Sequence, residues 1–135
     1  MKLKYIIILT LFFSIYACTQ NSSQSDEKAE MYEASELSSM MREMVEWSKE
    51  SKALLALGDT IKSVPAKFYE LGSQKATRGE HEEKAFQAML PLYTEALRGI
   101  ERGDSQQYYY EASIQACKSC HSTYCGGPMA IIEQL

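Results

Sequence analysis

Apolar residues recur every three or four positions through most of the chain after about residue 31, and no stretch alternates apolar and polar residues. This spacing is typical of amphipathic α-helices, whereas strict alternation would indicate half-buried strands. The most regular stretch runs from Ser35, a suitable N-cap, to Leu57, just before the stop at Gly58. The predicted buried face of this first helix carries Leu37, Met41, Met44, Ser48, Ser51 and Leu55.

Two more helices are predicted in the middle of the chain. A short second helix starts at Ser63-Val64-Pro65, where proline suits the first turn, and ends at Gly72. A third helix spans about Glu80 to Arg102. Pro91 lies inside it and should kink or split it, because proline removes a helical hydrogen bond.

A fourth helix is predicted between Gly103 and about Cys125, with Asp104 or Ser105 as its cap. Gly126-Gly127-Pro128 is a strong terminator, and a short tail follows it. Short loops between amphipathic helices favour an all-α fold, an antiparallel up-down-up-down four-helix bundle.

The N-terminus has the form of an export signal. Met1 to Lys4 is basic, and Tyr5 to Ile15 is almost wholly apolar but shorter than the roughly 20 residues of a membrane span. The run ends in Ile15-Tyr16-Ala17-Cys18, which resembles a bacterial lipobox and implies a lipidated Cys18 after cleavage. An ordinary cleaved signal, with Cys18 as a stray thiol, remains the alternative. Either form exports the protein.

The sequence therefore predicts a signal peptide over 1–17, a flexible polar tether over 18–30 and one small domain over 31–135. Lys and Arg total 14 against 18 Asp and Glu; loss of Lys2 and Lys4 with the signal leaves 12 against 18, a net charge of −6. No basic cluster is visible, so nucleic acid is not an expected partner. No nucleophile–base pair or carboxylate dyad can be placed, so an enzyme is not expected either.

The motif with the most chemical content is Cys117-Lys118-Ser119-Cys120-His121. C-x-x-C-H is typical of covalent c-type haem attachment. Two thiols three positions apart on a helix can both form thioethers to one porphyrin edge. His121 lies four positions after Cys117, so it shares that face and can reach the iron. We therefore expect one haem c, held by Cys117 and Cys120, with His121 as proximal ligand.

Two other interpretations use the same residues. A redox-active C-x-x-C disulfide needs a βαβ context, and no strand pattern is present. Cys117, Cys120, His121 and Cys125 could supply a zinc site, although structural zinc sites usually draw ligands from two separated segments. Cys125 is otherwise expected to be a buried small residue, or to form an intermolecular disulfide in a homodimer. His81, among acidic neighbours, is predicted to be solvated.

The opposite side of the haem has three candidate ligands. In the predicted bundle the first and fourth helices are antiparallel neighbours, which brings the start of one level with the end of the other. Periodicity places Met41 and Met44 near the centre of the core face and Met40 at its edge, without choosing between the first two. A methionine stripe at helical spacing is also common core filler.

A C-terminal C-x-x-C-H on the last of four helices resembles the cytochrome c-prime family, or class II cytochromes c. It also resembles the four-helix b-type cytochromes. The segment from Ser35 to Met44 is similar to the start of helix 1 in six-coordinate members, and aligning Leu37 with their leucine implies Met41 as the second iron ligand. The tail from Cys117 to Pro128 resembles small haem lipoproteins of the Bacteroidetes type. One departure is that Cys125 and two glycines replace the usual basic residues.

The expected function is one-electron transfer in the cell envelope, with His/Met ligation and other envelope redox proteins as donor and acceptor. Lipid at Cys18 would anchor the protein to a membrane with its domain in the periplasm. One alternative is a five-coordinate protein that binds nitric oxide or carbon monoxide, as the resemblance to cytochromes c-prime implies. Another is a structural helical lipoprotein with zinc or no metal.

Overall fold

A computed structural model describes residues 33–135, and these residues form helices and loops with no strand among them. The α-helices are α1 (Glu36–Ala56), α2 (Lys84–Arg102), α3 (Gln106–Tyr124) and the short α4 (Met129–Ile132), with 3₁₀ helices at Ala66–Ser73 and Glu80–Glu82. The all-α class is confirmed for this part of the chain. The predicted signal peptide, Cys18 and the tether lie outside the described residues.

Helix α1 begins and ends close to the predicted positions. The Ser35 hydroxyl accepts a hydrogen bond of 3.2 Å from the Ser38 N–H, which satisfies one of the free amides of the first turn. At the other end Leu57 is the C-cap, and Gly58 adopts a left-handed φ of 72°. A glycine favours this conformation because it has no Cβ, so the helix stops there.

The predicted second helix is a 3₁₀ helix, Ala66–Ser73, with Pro65 at its N-cap. It packs along one side of α1. Phe68 is fully buried, and its ring meets that of Trp47 edge to face at 5.8 Å. The Trp47 Nε1–H donates to the Ser63 carbonyl at 3.2 Å, and Lys67 pairs with Glu43. These contacts decide which flank of α1 is buried.

Pro91 was expected to kink or split the third helix, and the split is wrong, because α2 continues through that residue. Pro91 is exposed, as is Gln87 four residues earlier, so water can satisfy the carbonyl that the missing N–H leaves free. The break falls instead at Glu83, whose extended backbone (φ −74°, ψ 133°) separates α2 from the 3₁₀ turn Glu80–Glu82.

Helices α2 and α3 form an antiparallel hairpin through a short turn. Gly103 closes α2 with a left-handed φ of 78°, and Ser105 occupies the N-cap of α3 without a side-chain capping bond. Gly99 allows the helices to approach closely, since a Cβ there would lie 2.1 Å from Cδ1 of Tyr109. Arg102 stacks over the same ring at 5.3 Å.

Contacts at the two ends of the helical domain, residues 33–135, fix the direction of α1. Near its start, the Leu37 N–H donates to the Lys75 carbonyl at 3.1 Å. That end also holds Phe86, at the start of α2, edge to face with Tyr124 at the end of α3, with ring centroids 5.9 Å apart. At the opposite end, the Gln106 amide bonds both the N–H and the carbonyl of Ile61 at 2.9 Å. Helix α1 therefore runs antiparallel to α3.

The C-terminal tail packs back on this framework. Ile132 of α4 is buried in the core. The Tyr110 hydroxyl donates to the carbonyl of Leu135 at 3.0 Å and lies 3.1 Å from the Ser48 carbonyl of α1. Lys52 donates to the Gln134 carbonyl at 2.7 Å. The tail is thus tied to both α1 and α3.

Candidate haem-attachment site

The last two turns of α3 carry the C-x-x-C-H motif. Cys117 and Cys120 are partly buried and pack against the core, and His121 is partly exposed beside them. The preceding turns of α3 are anchored by Tyr110, Ile114 and other buried residues. The motif therefore lies where the core-facing side of α3 reaches the surface.

The two thiols lie in a desolvated setting. Burial raises the pKa of Cys117 to about 12, and the neighbouring Cys120 adds to the effect. Burial likewise raises the pKa of Cys120. Burial, with Cys117 as a smaller cause, also raises the pKa values of Tyr93 and Tyr110. The sulfur of Cys117 is thus a neutral thiol near Tyr93 of α2, directed inward from α3.

His121 has a defined hydrogen-bond partner. Its Nδ1 lies 2.9 Å from the carbonyl oxygen of Cys125, and the Cys125 N–H donates to the His121 carbonyl at 3.1 Å. A carbonyl only accepts hydrogen bonds, so Nδ1 must carry the proton and donate it. The lone pair then lies on Nε2. Metal-ligating histidines commonly show this arrangement, with the second nitrogen bonded to a carbonyl or carboxylate.

The donor set suits covalent haem. Two thiols three positions apart provide sulfurs for two thioethers, and a neutral imidazole with a free Nε2 provides a nitrogen for iron. For the zinc alternative, residues 33–135 contain no group of three or more His, Cys, Asp or Glu side chains placed to hold a metal ion.

The expected burial of Cys125 is wrong, because its side chain is exposed. The residue follows the last turn of α3 as its C-cap, with φ −152° and ψ 85°, so it no longer follows the helical periodicity. Its carbonyl, which sequence reasoning did not consider, contacts the site. The sequence position of Cys125 could have indicated this contact, because it lies four residues after His121, where a C-cap can fold back on the last turn.

The burial predicted for the three methionines of α1 is confirmed for Met44 and wrong for Met40 and Met41. Met40 and Met44 are the buried pair, each 7% exposed, whereas Met41 is partly exposed and packs against the core from its margin. Met40 and Met41 lie on opposite flanks of the same helical face. The 3₁₀ helix Ala66–Ser73 covers the flank that carries Met40 and Trp47, so α1 buries that side more deeply.

The antiparallel pairing sets the height of Met41 relative to the motif. The Tyr110 hydroxyl contacts the Ser48 carbonyl, Cys117 follows Tyr110 by seven residues, and Met41 precedes Ser48 by seven. At about 1.5 Å per residue, each step covers roughly 10 Å in the same direction. Met41 and Cys117 therefore lie at about the same level, both at the margin of the core.

His81 is not solvated as expected. Its side chain is 19% exposed, and its Nδ1 accepts a 3.1 Å hydrogen bond from the Ala76 N–H. Glu82 lies 3.9 Å from its Nε2. The Gln87 side chain donates to the His81 carbonyl at 2.7 Å. This histidine therefore organises the loop beside the start of α1.

No protein-family model, curated protein or solved structure matches the chain. Among residues 33–135, no helix combines the length and the apolar character needed to cross a bilayer.

Proposed function

We propose that the protein is a c-type cytochrome that transfers single electrons in the cell envelope. The observation that carries the proposal is the C-x-x-C-H motif at the end of α3, in which the Nδ1 of His121 bonds the Cys125 carbonyl. This bond leaves Nε2 free for a metal. A cysteine pair next to a histidine in this state is what covalent haem attachment requires.

In this proposal Cys117 and Cys120 hold one haem c as thioethers, and His121 is the proximal ligand. The bound haem supplies a reversible one-electron change at iron. The chain contributes a rigid attachment helix, because Tyr110 and Ile114 anchor α3 in the core. Rigidity at the attachment point keeps reorganisation small, which favours fast electron transfer.

For the sixth iron ligand we propose Met41, with Met44 or Met40 as alternatives. Two considerations support Met41: its level matches that of Cys117, and it lies at the margin of the core. The thioethers of Met40 and Met44 are already packed in the core. A His/Met pair raises the reduction potential of a haem, which suits an electron carrier.

The fold we propose for the domain is an antiparallel four-helix bundle of the cytochrome c-prime type. Helices α1, α2 and α3 provide three members, and the 3₁₀ helix Ala66–Ser73 takes the place of the fourth. It packs on α1 through Phe68 and Trp47. The resemblance of the sequence at both ends of the domain supports this assignment.

The proposed location is a membrane surface of the cell envelope, with the domain in the periplasm. The form of residues 1–17 supports export, and the lipobox-like end supports lipid on Cys18. Several acyl chains anchor a protein stably, whereas one chain binds only marginally. The electron donor and acceptor would be other redox proteins of the envelope.

The direct test is haem staining of the purified protein on a denaturing gel, after expression in a host that matures c-type cytochromes. Thioether-linked haem survives denaturation, so the wild-type band should stain. The matched control is Cys117→Ala with Cys120→Ala, which should give an unstained band of equal protein. A colourless wild-type protein with both thiols still titratable would refute the proposal and leave the structural or zinc-binding alternative.

A five-coordinate gas-binding protein is the second candidate. The burial of Met40 and Met44 leaves only the partly exposed Met41 to reach the iron without rearrangement of the core, so this candidate depends on Met41 alone. If Met41 does not bind, the distal side is open to nitric oxide or carbon monoxide. An optical spectrum of the reduced protein with and without carbon monoxide distinguishes the two candidates.

A further inference from the structure

We propose that the backbone of the turn after α3 positions the proximal histidine, with the Cys125 carbonyl as the group that fixes the His121 ring. This inference rests on the proposed function and deepens it. It assigns a role to the segment in which the chain departs from the basic residues usual in the cytochrome c-prime family.

Two hydrogen bonds join the same pair of residues in opposite directions. The Nδ1–H of His121 donates to the Cys125 carbonyl at 2.9 Å, and the Cys125 N–H donates to the His121 carbonyl at 3.1 Å. The second bond closes the last turn of α3. The extended backbone of Cys125 (φ −152°, ψ 85°) then directs its own carbonyl back to the imidazole.

The turn is held from its far side as well. The Met129 N–H donates to the Gly126 carbonyl at 3.1 Å, which starts α4 directly after the turn. Ile132 of α4 is 3% exposed and belongs to the core, and the Leu135 carbonyl accepts from Tyr110. The position of the Cys125 carbonyl is therefore set by core packing beyond it.

The composition of the segment favours this backbone contact. Residues 119–132 contain no Asp, Glu, Lys or Arg. No charged side chain of this segment therefore competes for the Nδ1 proton. The Cys125 side chain is exposed, so it is the main chain and not the thiol that contacts His121.

The bond has a chemical consequence for the ligand. Donation from Nδ1–H to a carbonyl increases the electron density at Nε2 and makes the imidazole a stronger donor. A stronger donor stabilises ferric over ferrous iron and lowers the reduction potential. The carbonyl also selects the tautomer before any iron binds, so the nitrogen that must coordinate is already deprotonated.

Two variants, Cys125→Pro and Cys125→Ala, distinguish the effect of the Cys125 backbone from the effect of its thiol. Proline removes the N–H that bonds His121 and sets φ near −65°, which turns the carbonyl away. Alanine removes the thiol and keeps the backbone. The two variants thus change one residue in two different ways.

The first measurement is the His121 tautomer in the haem-free full chain, read from the two ring nitrogen shifts by NMR at mildly alkaline pH. We expect a protonated Nδ1 in the wild type and in Cys125→Ala, and a shift of the population towards a protonated Nε2 in Cys125→Pro. A protonated Nε2 in the wild type would overturn the proposal. The wild-type measurement is decisive even if the proline variant does not fold.

The second measurement is the reduction potential of the haem-loaded protein. We expect a shift to more positive potential in Cys125→Pro and no shift in Cys125→Ala. Equal shifts in both variants, or none in the proline variant, would refute the role of the carbonyl. Because the tautomer is read without haem, a failure of haem attachment and a failure of this positioning contact are distinguishable.

Discussion

At the residue scale, Met41 can be substituted to test iron ligation with little effect on the core, because its side chain is only partly buried. Met41→Leu nearly conserves volume, so it should change the free energy of unfolding by less than about 1.5 kcal/mol. If Met41 binds the iron, the optical spectrum should change from low-spin to high-spin, and the reduced protein should newly bind carbon monoxide.

The matched control for this prediction is Met44→Leu, three positions further along the same helix. It should leave the spectrum unchanged while disturbing a buried site. An unchanged spectrum in Met41→Leu would reject Met41 as the ligand. A spectral change confined to Met44→Leu would transfer the role to Met44.

The three described cysteines should differ in reactivity when haem is absent. Thiolates are the reactive form, and burial raises the pKa of Cys117 to about 12 and also raises that of Cys120. Cys125 is exposed. In the haem-free chain at neutral pH, iodoacetamide should alkylate Cys125 first and Cys117 last, as read by peptide mass spectrometry over time. Early labelling of Cys117 would contradict the inward direction of its thiol.

Single residues also show where sequence reasoning reached its limit. The placement of Cys117, Cys120 and His121 together near the end of one helix could be predicted, because it depends on helical spacing alone. Whether Met40 or Met41 is buried could not be predicted, since both flank one helical face and a distant 3₁₀ helix decides between them. The partial burial of His81 was missed because its partner, the Ala76 N–H, belongs to a loop.

At the scale of elements, the close approach of α2 and α3 depends on Gly99. A Cβ at this position would lie 2.1 Å from the Tyr109 ring. Gly99→Ala gains up to about 1 kcal/mol of helix propensity, while overpacking costs about 1–3 kcal/mol. We expect a net loss of stability in urea unfolding, because the ring or the helix must move.

The control for this prediction is a background in which Gly99→Ala should stabilise the protein instead of destabilising it. In a Tyr109→Ala background the obstructing ring is gone, so the same Gly99→Ala substitution should now stabilise α2 by up to about 1 kcal/mol. If Gly99→Ala has the same effect in both backgrounds, steric contact with Tyr109 does not explain the glycine.

The bounds of the long helices could be predicted closely because their caps are local. Ser35, Gly58 and Gly103 act through their own side chain or backbone freedom. Two features could not be predicted: the 3₁₀ form of Ala66–Ser73 and the continuity of α2 through Pro91. These features depend on which parts of each segment are covered by other elements and which face water, and periodicity alone gives neither.

At the scale of the whole molecule, three buried or partly buried tyrosines predict a loss of stability in alkali. Burial raises the pKa of Tyr69 and of Tyr110 from the ordinary value of 10 to about 12, and it also raises that of Tyr93. A raised pKa means that the folded state favours the neutral phenol. Their contribution to stability is therefore full below pH 10 and is lost as the pH rises from 10 towards 12.

Urea unfolding across this range measures the effect, in the haem-free Cys117→Ala, Cys120→Ala variant so that these two buried thiols do not add to it. The free energy of unfolding should be flat up to pH 10 and fall above it. Tyr110→Phe should be less stable throughout, because it loses the hydrogen bond to the Leu135 carbonyl and the polar contact with the Ser48 carbonyl, but its decline with pH should be shallower. Parallel curves for the two proteins would contradict the contribution of Tyr110.

The edge-to-face pair of Trp47 and Phe68 gives the molecule an intrinsic optical probe. Trp47 is the only tryptophan in the chain, and its indole N–H is bonded to the Ser63 carbonyl. Its fluorescence therefore reports whether the 3₁₀ helix remains docked on α1. A porphyrin attached to α3 would quench that emission, so Trp47 fluorescence would report both the haem content of the protein and its unfolding without any added label.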